Sequence, residues 1–196
     1  MILRISPRAL VAGLPLCLLL AHAPPARAGE VVDAATAVET AVATGDFNAW
    51  QAANATLLST AWFQPGLHFN RLLLVSAPAS GYGSYEVRPD SVFAAGEMIL
   101  VYAEPEGYGY GDLGGGKLEI AFDIDLKVMD PAGSVLVEMP GFMQLVHQTW
   151  GPAREFVANM SVSMGQAPAG DYRLEFTFRD RHGGQSSSFT TDVTIQ

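Results

Sequence analysis

The first part of the chain after residue 28 carries apolar residues at the spacing of a helix face. They are Val31, Ala35, Val38 and Val42 in one segment and Phe47, Trp50, Leu57, Leu58 and Ala61 in the next. Gly45 and Asp46 stand between the segments, a helix stop followed by an N-cap residue. The pattern predicts two short helices within residues 30–63, forming a hairpin that docks on the rest of the chain through Trp50 and Trp62.

From about Arg71 onward the apolar period is two residues, which is typical of half-buried strands. The longest alternation is Lys117–Met129, and the turn Asp130-Pro131-Ala132-Gly133 predicts a hairpin partner over residues 134–139. The other predicted strands are residues 72–76, 85–88, 98–104, 154–164, 172–178 and 189–195. The sequence therefore predicts a mainly β fold, an antiparallel sandwich of about seven strands with a short N-terminal helical hairpin.

One of these strands opens with Ala169-Gly170-Asp171-Tyr172. This resembles the tyrosine corner of immunoglobulin-like domains, in which the tyrosine hydroxyl bonds to nearby backbone. Residues 85–196 are thus similar to bacterial immunoglobulin-like or fibronectin-type sandwiches, without the cysteine pair and the strand-C tryptophan of antibody domains. The resemblance implies an immunoglobulin-like sandwich over residues 67–196, residues 29–66 as a helical extension, and a role in adhesion, scaffolding or accessory binding.

Residues 1–28 have the pattern of a signal peptide. Arg4 and Arg8 precede an apolar run over residues 9–20, and Ala26-Arg27-Ala28 places small residues at the two positions that signal peptidase reads. The run is shorter than the roughly 20 residues that span a bilayer. We expect cleavage after Ala28, giving a periplasmic or secreted protein without a membrane span; the alternative is an uncleaved anchor.

The charge of the chain narrows the range of partners. It has twenty acidic and eleven basic residues, and the leader contains three of the basic residues and no acidic one. The mature chain is therefore strongly acidic, which argues against binding nucleic acid or anionic membranes. A protein or carbohydrate ligand of the cell envelope stays possible. Since the single cysteine, Cys17, lies in the leader, stability must come from a packed core rather than from disulfides.

The first candidate binding segment is the loop over residues 104–116. Tyr108 and Tyr110 offer rings that stack on sugars or peptides, Asp112 follows them, and the glycines let backbone approach a ligand. Gly109–Gly114 has the spacing G-x-G-x-x-G, but it leads into a strand rather than a helix, so dinucleotide binding is not predicted. The loop is interpreted either as a mobile binding loop or as a flexible connection without a ligand.

The second candidate is the apolar stretch over residues 140–152. It is rich in large apolar residues, of which Phe142 and Trp150 are the predicted ligand contacts. One interpretation is an exposed patch for a partner or ligand. The other is a crossover connection that covers the open end of the sandwich or meets the helical hairpin.

No catalytic residue, metal site or cofactor is predicted. The mature chain has no cysteine and no G-x-S-x-G, and its three histidines lie far apart. Asp123 and Asp125 are interpreted as part of a polar strand face. We expect a non-catalytic exported binding or interaction module of the cell envelope. The alternatives are a metal-dependent or hydrolytic envelope enzyme built from Glu104, Glu106, Asp112 and one histidine, and a structural or assembly protein.

Overall fold

The computed structural model describes residues 28–165 and 167–196, so the predicted leader lies outside it up to residue 27. The described chain contains two helices, α1 Ala28–Thr44 and α2 Phe47–Phe63. The strands that follow are β1 His68–Leu74, β2 Val92–Phe93, β3 Met98–Glu106, β4 Gly111–Gly114, β5 Lys117–Met129, β6 Val135–Trp150, β7 Ala158–Ser163, β8 Gly170–Asp180 and β9 Ser186–Ile195. Neither described helix is long and apolar enough to cross a membrane.

The corner between α1 and α2 forms as the sequence predicts. Gly45 adopts the left-handed conformation with φ 69°, which glycine tolerates without steric cost. The Asp46 carboxylate then accepts a hydrogen bond from the backbone N–H of Ala49 at 3.0 Å and caps α2. The predicted helical hairpin and its N-cap are confirmed.

The burial of the hairpin differs from the prediction. The small residues Ala34 and Ala41 are buried, whereas Val42 and Phe47 are 63% and 66% exposed. Trp50 stacks on Phe47 of its own helix, with 5.6 Å between the rings, and Trp62 alone of the two tryptophans packs against the sandwich core. Trp62 lies at the end of α2, close to the start of β1, whereas Trp50 lies about 18 Å from it along the axis of α2, towards the start of the helix.

Two sheets form the sandwich. The smaller has the order β1-β3-β7, and the larger has the order β2-β9-β8-β5-β4, with β6 also paired to β5. Because β6 follows β5 along its whole length, β8 and β4 share the other edge of β5. All pairs are antiparallel except β2 with β9. The mainly β sandwich is confirmed, with nine strands in the described residues rather than about seven.

Alternate residues of β5 form the middle of the core. Ile120 and Phe122 are fully buried between the sheets, as are the following even-numbered residues through Leu126. On the other face, Asp123 pairs with Arg181 through two hydrogen bonds of 3.0 and 2.5 Å. Arg181 holds the pKa of the Asp123 carboxyl below its usual value. The interpretation of this pair of aspartates as a polar outer face agrees with the structure.

Several strand boundaries were predicted wrongly. β1 begins at His68 rather than residue 72, because a bulge between Phe69 and Arg71 shifts its alternation. Residues 85–88 form no strand and make only an isolated bridge between Val75 and Val87. The short β2 has too few residues to produce a pattern at all.

The predicted tyrosine corner is present. Tyr172 Oη donates a hydrogen bond to the carbonyl oxygen of Pro168 at 2.7 Å, which lies upstream of its strand as expected. We expect Tyr172→Phe to lower the free energy of unfolding by about 1 kcal/mol. Tyr85→Phe is the control, since the Tyr85 hydroxyl makes no hydrogen bond within the described part of the chain. Denaturant unfolding of both variants measures the effect, and an unchanged midpoint for Tyr172→Phe would contradict it.

Candidate functional site

A groove of about 460 Å³ separates α2 from one end of the sandwich. Residues of α2 form one wall, and residues from the start of β5 and the segment after β6 form the other. Leu58 and Trp62 line the helix wall, and Tyr110, Leu118, Pro152 and Arg154 line the sandwich wall. We call this site the α2 groove. Its walls are largely apolar, with Gln51, Asn54 and Ser59 of the helix as neutral polar groups.

Trp62 fixes the helix wall to the sandwich. Its indole N–H donates to the carbonyl oxygen of Tyr108 at 2.9 Å, and its ring meets the Tyr108 ring edge-on at 5.1 Å between centroids. An indole that is half-buried and hydrogen-bonded has few alternative rotamers. The position of Trp62 in the groove is therefore set by the fold.

Tyr108 is a core residue and not the exposed ring that the sequence interpretation requires. None of its surface is exposed, and its ring packs edge-on against Phe122 and Phe156. Its hydroxyl donates to the carbonyl oxygen of Ala153 at 3.0 Å, and burial raises its pKa. Contact between Tyr108 and a surface ligand is ruled out by this burial, because the core encloses the whole side chain.

Tyr110 is the residue of the predicted loop that reaches the groove. Its ring is half-buried, and its hydroxyl donates to the same Ala153 carbonyl at 2.6 Å. Burial raises the pKa of Tyr110, and the nearby Arg154 opposes that rise. The Tyr110 ring forms part of the groove wall, and its hydroxyl is already hydrogen-bonded to Ala153. Tyr110 therefore offers a ligand mainly the apolar face of its ring.

The loop that carries these tyrosines is held tightly, so neither a mobile loop nor a flexible connection describes it. The buried Asp180 carboxylate accepts hydrogen bonds from the backbone N–H of Gly109 at 2.7 Å and of His182 at 3.0 Å. A Cβ at Gly109 would lie 2.3 Å from the backbone nitrogen of Gly183. Gly109 is required by close backbone packing, and Gly111–Gly114 of the same segment join the larger sheet as β4.

The other predicted ligand residues lie outside the α2 groove. Asp112 is exposed in β4, where its carboxylate accepts from the backbone N–H of Gly114 at 2.7 Å. Phe142 is half-buried in β6, 6.2 Å from the Phe176 ring. Trp150 ends β6 and is 74% exposed, with the Lys117 ammonium 5.1 Å from its ring. The structure does not bring these three residues together, and their ligand roles stay predictions.

The stretch that was interpreted either as an exposed patch or as a crossover forms the latter part of a long strand. β6 pairs with β5 over its length, with a bulge between the pairs Leu126–Met139 and Ile124–Met143 and a second register shift between the pairs Val128–Val137 and Met129–Val135. At this bulge Gly141 has φ 65°, and its N–H donates to the Asp125 carboxylate at 2.6 Å. Pro140 and Gly141 interrupt the apolar alternation after residue 139, which is why the continuation of the strand was not predicted. Proline and glycine within a strand occur mainly at bulges and edges.

Glu104, Glu106 and Asp112, the acidic residues from which an enzyme site would be built, each contact different groups. Glu104 is buried and accepts from the Tyr102 hydroxyl, whose pKa rises to about 12 through burial and this hydrogen bond. Glu106 Oε2 lies 3.4 Å from His68 Nε2. Asp112 belongs to the other sheet, where its carboxylate accepts from the backbone N–H of Gly114. Within residues 28–165 and 167–196, no group of three or more histidine, cysteine, aspartate or glutamate side chains is placed to hold a metal ion.

Arg154 and the groove around it are the features that sequence reasoning missed. Arg154 was predicted as the first residue of a strand, but it lies in the connection before β7. Its guanidinium stands 5.4 Å from the Trp62 ring centroid, although the two residues are 92 positions apart in the chain. No local pattern could reveal the groove, because its two walls come from distant segments.

No protein-family model and no curated protein matches this sequence. Among solved structures, the chain is similar to CopC from Methylosinus trichosporium OB3b, with 15% identity and a TM-score of 0.31 over 64% of this chain and 94% of that one. It is also similar to the CARDB domain of the PF1109 protein from Pyrococcus furiosus, solved in complex with di-metal ions, with 10% identity and a TM-score of 0.30 over 66% and 90% of the two chains. An LPMO from Kitasatospora papulosa gives 11% identity and a TM-score of 0.28, over 61% of this chain and 54% of the LPMO chain.

Proposed function

We propose that this protein is an exported, non-catalytic binding module of the cell envelope and that its ligand occupies the α2 groove. The observation that carries the proposal is the pair of fixed aromatic walls. Trp62 and Tyr110 are each held by a hydrogen bond to backbone, at 2.9 and 2.6 Å. Walls that are ordered before the ligand arrives reduce the entropy lost on binding.

The size and lining of the groove support a small-molecule ligand. Its volume of about 460 Å³ falls within the range of roughly 300–1,000 Å³ that is common for ligand pockets. Apolar side chains such as Leu58 and Leu118 supply contact area, and the few polar groups can orient a ligand. Because Trp62 and Tyr110 both line the groove with aromatic rings, they favour a ligand with a flat apolar body.

The groove chemistry supports binding rather than catalysis. Its described lining includes no carboxylate, histidine or cysteine. The Tyr110 hydroxyl is committed to Ala153 and its pKa is raised, so it is a poor base near neutral pH. An arginine stays protonated and cannot exchange a proton at ordinary pH. The export part of the proposal rests on the leader pattern of residues 1–28.

A groove-filling variant tests the proposal with N-phenyl-1-naphthylamine, a neutral probe whose fluorescence rises in apolar sites. Ala55 is exposed and lines the groove, so Ala55→Trp should occupy the space and weaken probe binding by about tenfold or more, a cost of roughly 1.4 kcal/mol. Ala52→Trp is the matched control, since Ala52 is exposed on the same helix but does not line the groove.

Titration of the wild type and both variants decides the question. We expect the wild type and Ala52→Trp to bind the probe equally and Ala55→Trp to bind it at least about tenfold more weakly, with all three proteins melting cooperatively. Undiminished binding by Ala55→Trp contradicts the proposal. In that case the probe lies elsewhere, for example in the hollow beside Phe47 and Trp50 at the start of α2.

A further inference from the structure

Arg154 is a cation without an acidic partner inside the α2 groove. No carboxylate lies within 4.0 Å of it in the described structure, and no acidic residue occurs at positions 1–27 or 166. Its guanidinium instead lies 5.4 Å from the Trp62 ring centroid. A guanidinium over an indole face is stabilised by a cation–π contact that leaves its N–H donors free to bind.

This isolation is unusual in a chain with so many acids. Of the eight basic residues in the described structure, six form ion pairs: Arg71, Arg88, Lys127, Arg173, Arg179 and Arg181. The remaining two are Arg154 and Lys117. Lys117 is exposed and points to Trp150 outside the groove, so Arg154 is the one cation that lines the site within the described residues.

We infer that the ligand of the α2 groove is a small organic anion with a flat apolar body. The body lies between Trp62 and Tyr110, and its carboxylate, sulfonate or phosphate group binds the Arg154 guanidinium. This inference rests on the proposed function, because it assigns the ligand chemistry of the same site. Arginine favours such groups since its planar fork of donors matches two anionic oxygens at once.

The charge of the whole molecule argues against larger anionic partners. The mature chain contains twenty acids and eight bases, so a nucleic acid or an anionic membrane meets repulsion over most of the surface. At physiological salt this repulsion is screened beyond about 8 Å, so a small anion inside the groove responds mainly to Arg154. The local charge selects the anionic group, and the volume of about 460 Å³ limits the size of the ligand.

Two probes with one scaffold test the inference. 1-Anilinonaphthalene-8-sulfonate is N-phenyl-1-naphthylamine with an added sulfonate, so the ratio of their dissociation constants isolates the contribution of the anion. At physiological salt, where the repulsion from the acidic surface is screened, we expect the wild type to favour the sulfonate by about tenfold. Arg154→Met keeps the apolar stem over Trp62 and removes the charge, so its ratio should fall to about one.

Two further variants control for folding and for general charge. Arg154→Lys keeps a cation and should retain part of the preference, while Lys117→Met removes the other unpaired cation and should leave the ratio unchanged. Undiminished binding of the neutral probe by Arg154→Met shows that the groove is intact. A preference that survives in Arg154→Met, or that Lys117→Met abolishes, overturns the inference.

The inference and the proposed function fail in different ways. Equal binding of the two probes by the wild type, with both lost in Ala55→Trp, overturns the anion preference and leaves the groove as the binding site. Failure of the wild type to bind either probe overturns the proposed function and the inference with it.

Discussion

Tyr108→Ala is expected to lower the free energy of unfolding by about 3–5 kcal/mol, the usual cost of removing a large aromatic ring from a packed core. The ring has no exposed surface and contacts Phe122, Phe156 and Trp62 edge-on. Its removal opens a cavity directly behind the Trp62 wall. Urea unfolding monitored by circular dichroism gives the change in free energy.

Two comparison variants separate the causes of that loss. Tyr108→Phe removes only the hydrogen bond to Ala153 and should cost about 1 kcal/mol. Trp150→Ala removes an aromatic ring that is 74% exposed and should change stability by less than about 0.5 kcal/mol. If Tyr108→Ala costs no more than Trp150→Ala, the burial described here is wrong.

Gly109→Ala is expected to cost about 3 kcal/mol, the upper part of the usual range for an overpacked site. The added methyl group would lie 2.3 Å from the Gly183 nitrogen and 2.6 Å from its Cα, and backbone cannot move aside as a flexible side chain can. Any shift of Gly109 also weakens its hydrogen bond to the buried Asp180 carboxylate.

Gly81→Ala is the matched control for this substitution. A Cβ at Gly81 meets nothing within 4 Å, and its φ is not positive, so alanine should be tolerated within about 0.5 kcal/mol. Thermal melts of the two variants make the comparison. Equal melting temperatures would mean that the segment around Gly109 is loosely packed.

The sequence predicted most reliably the elements whose pattern runs without interruption. β5 was predicted at both ends, because its apolar residues alternate from Lys117 to Met129 without a break. The helix corner was predicted from Gly45 and Asp46, since both residues act through local backbone geometry. Tyr172 was recognised because its hydrogen bond reaches only four residues back.

The prediction was wrong where distant contacts decide the conformation. The glycines near Tyr108 suggested flexibility, yet Gly109 is held against Gly183, more than 70 positions away. Pro140 and Gly141 suggested the end of a strand, but the Asp125 side chain stabilises a bulge there and β6 continues. A local pattern cannot distinguish a loose glycine from a closely packed one, because the difference lies in the neighbouring chain.

The candidate site was predictable only in part for the same reason. Tyr110 was singled out from the sequence and does line the groove, whereas Arg154 and Leu118 carried no signal of a shared site. The helical hairpin was expected to bury Trp50 and Trp62 alike. Instead, Trp50 stacks on Phe47 of its own helix, and only Trp62 of the two packs against the sandwich core. The position of Trp62, held by the Tyr108 carbonyl, is what creates the groove beside α2.

A crystal structure of the protein with bound N-phenyl-1-naphthylamine tests the central claim most directly. We predict electron density for the probe in the α2 groove, with an aromatic ring in contact with both Trp62 and Tyr110 and with α2 in the position described above. Density for the probe only at another site, or a groove closed by its own side chains in the crystal, would contradict the account.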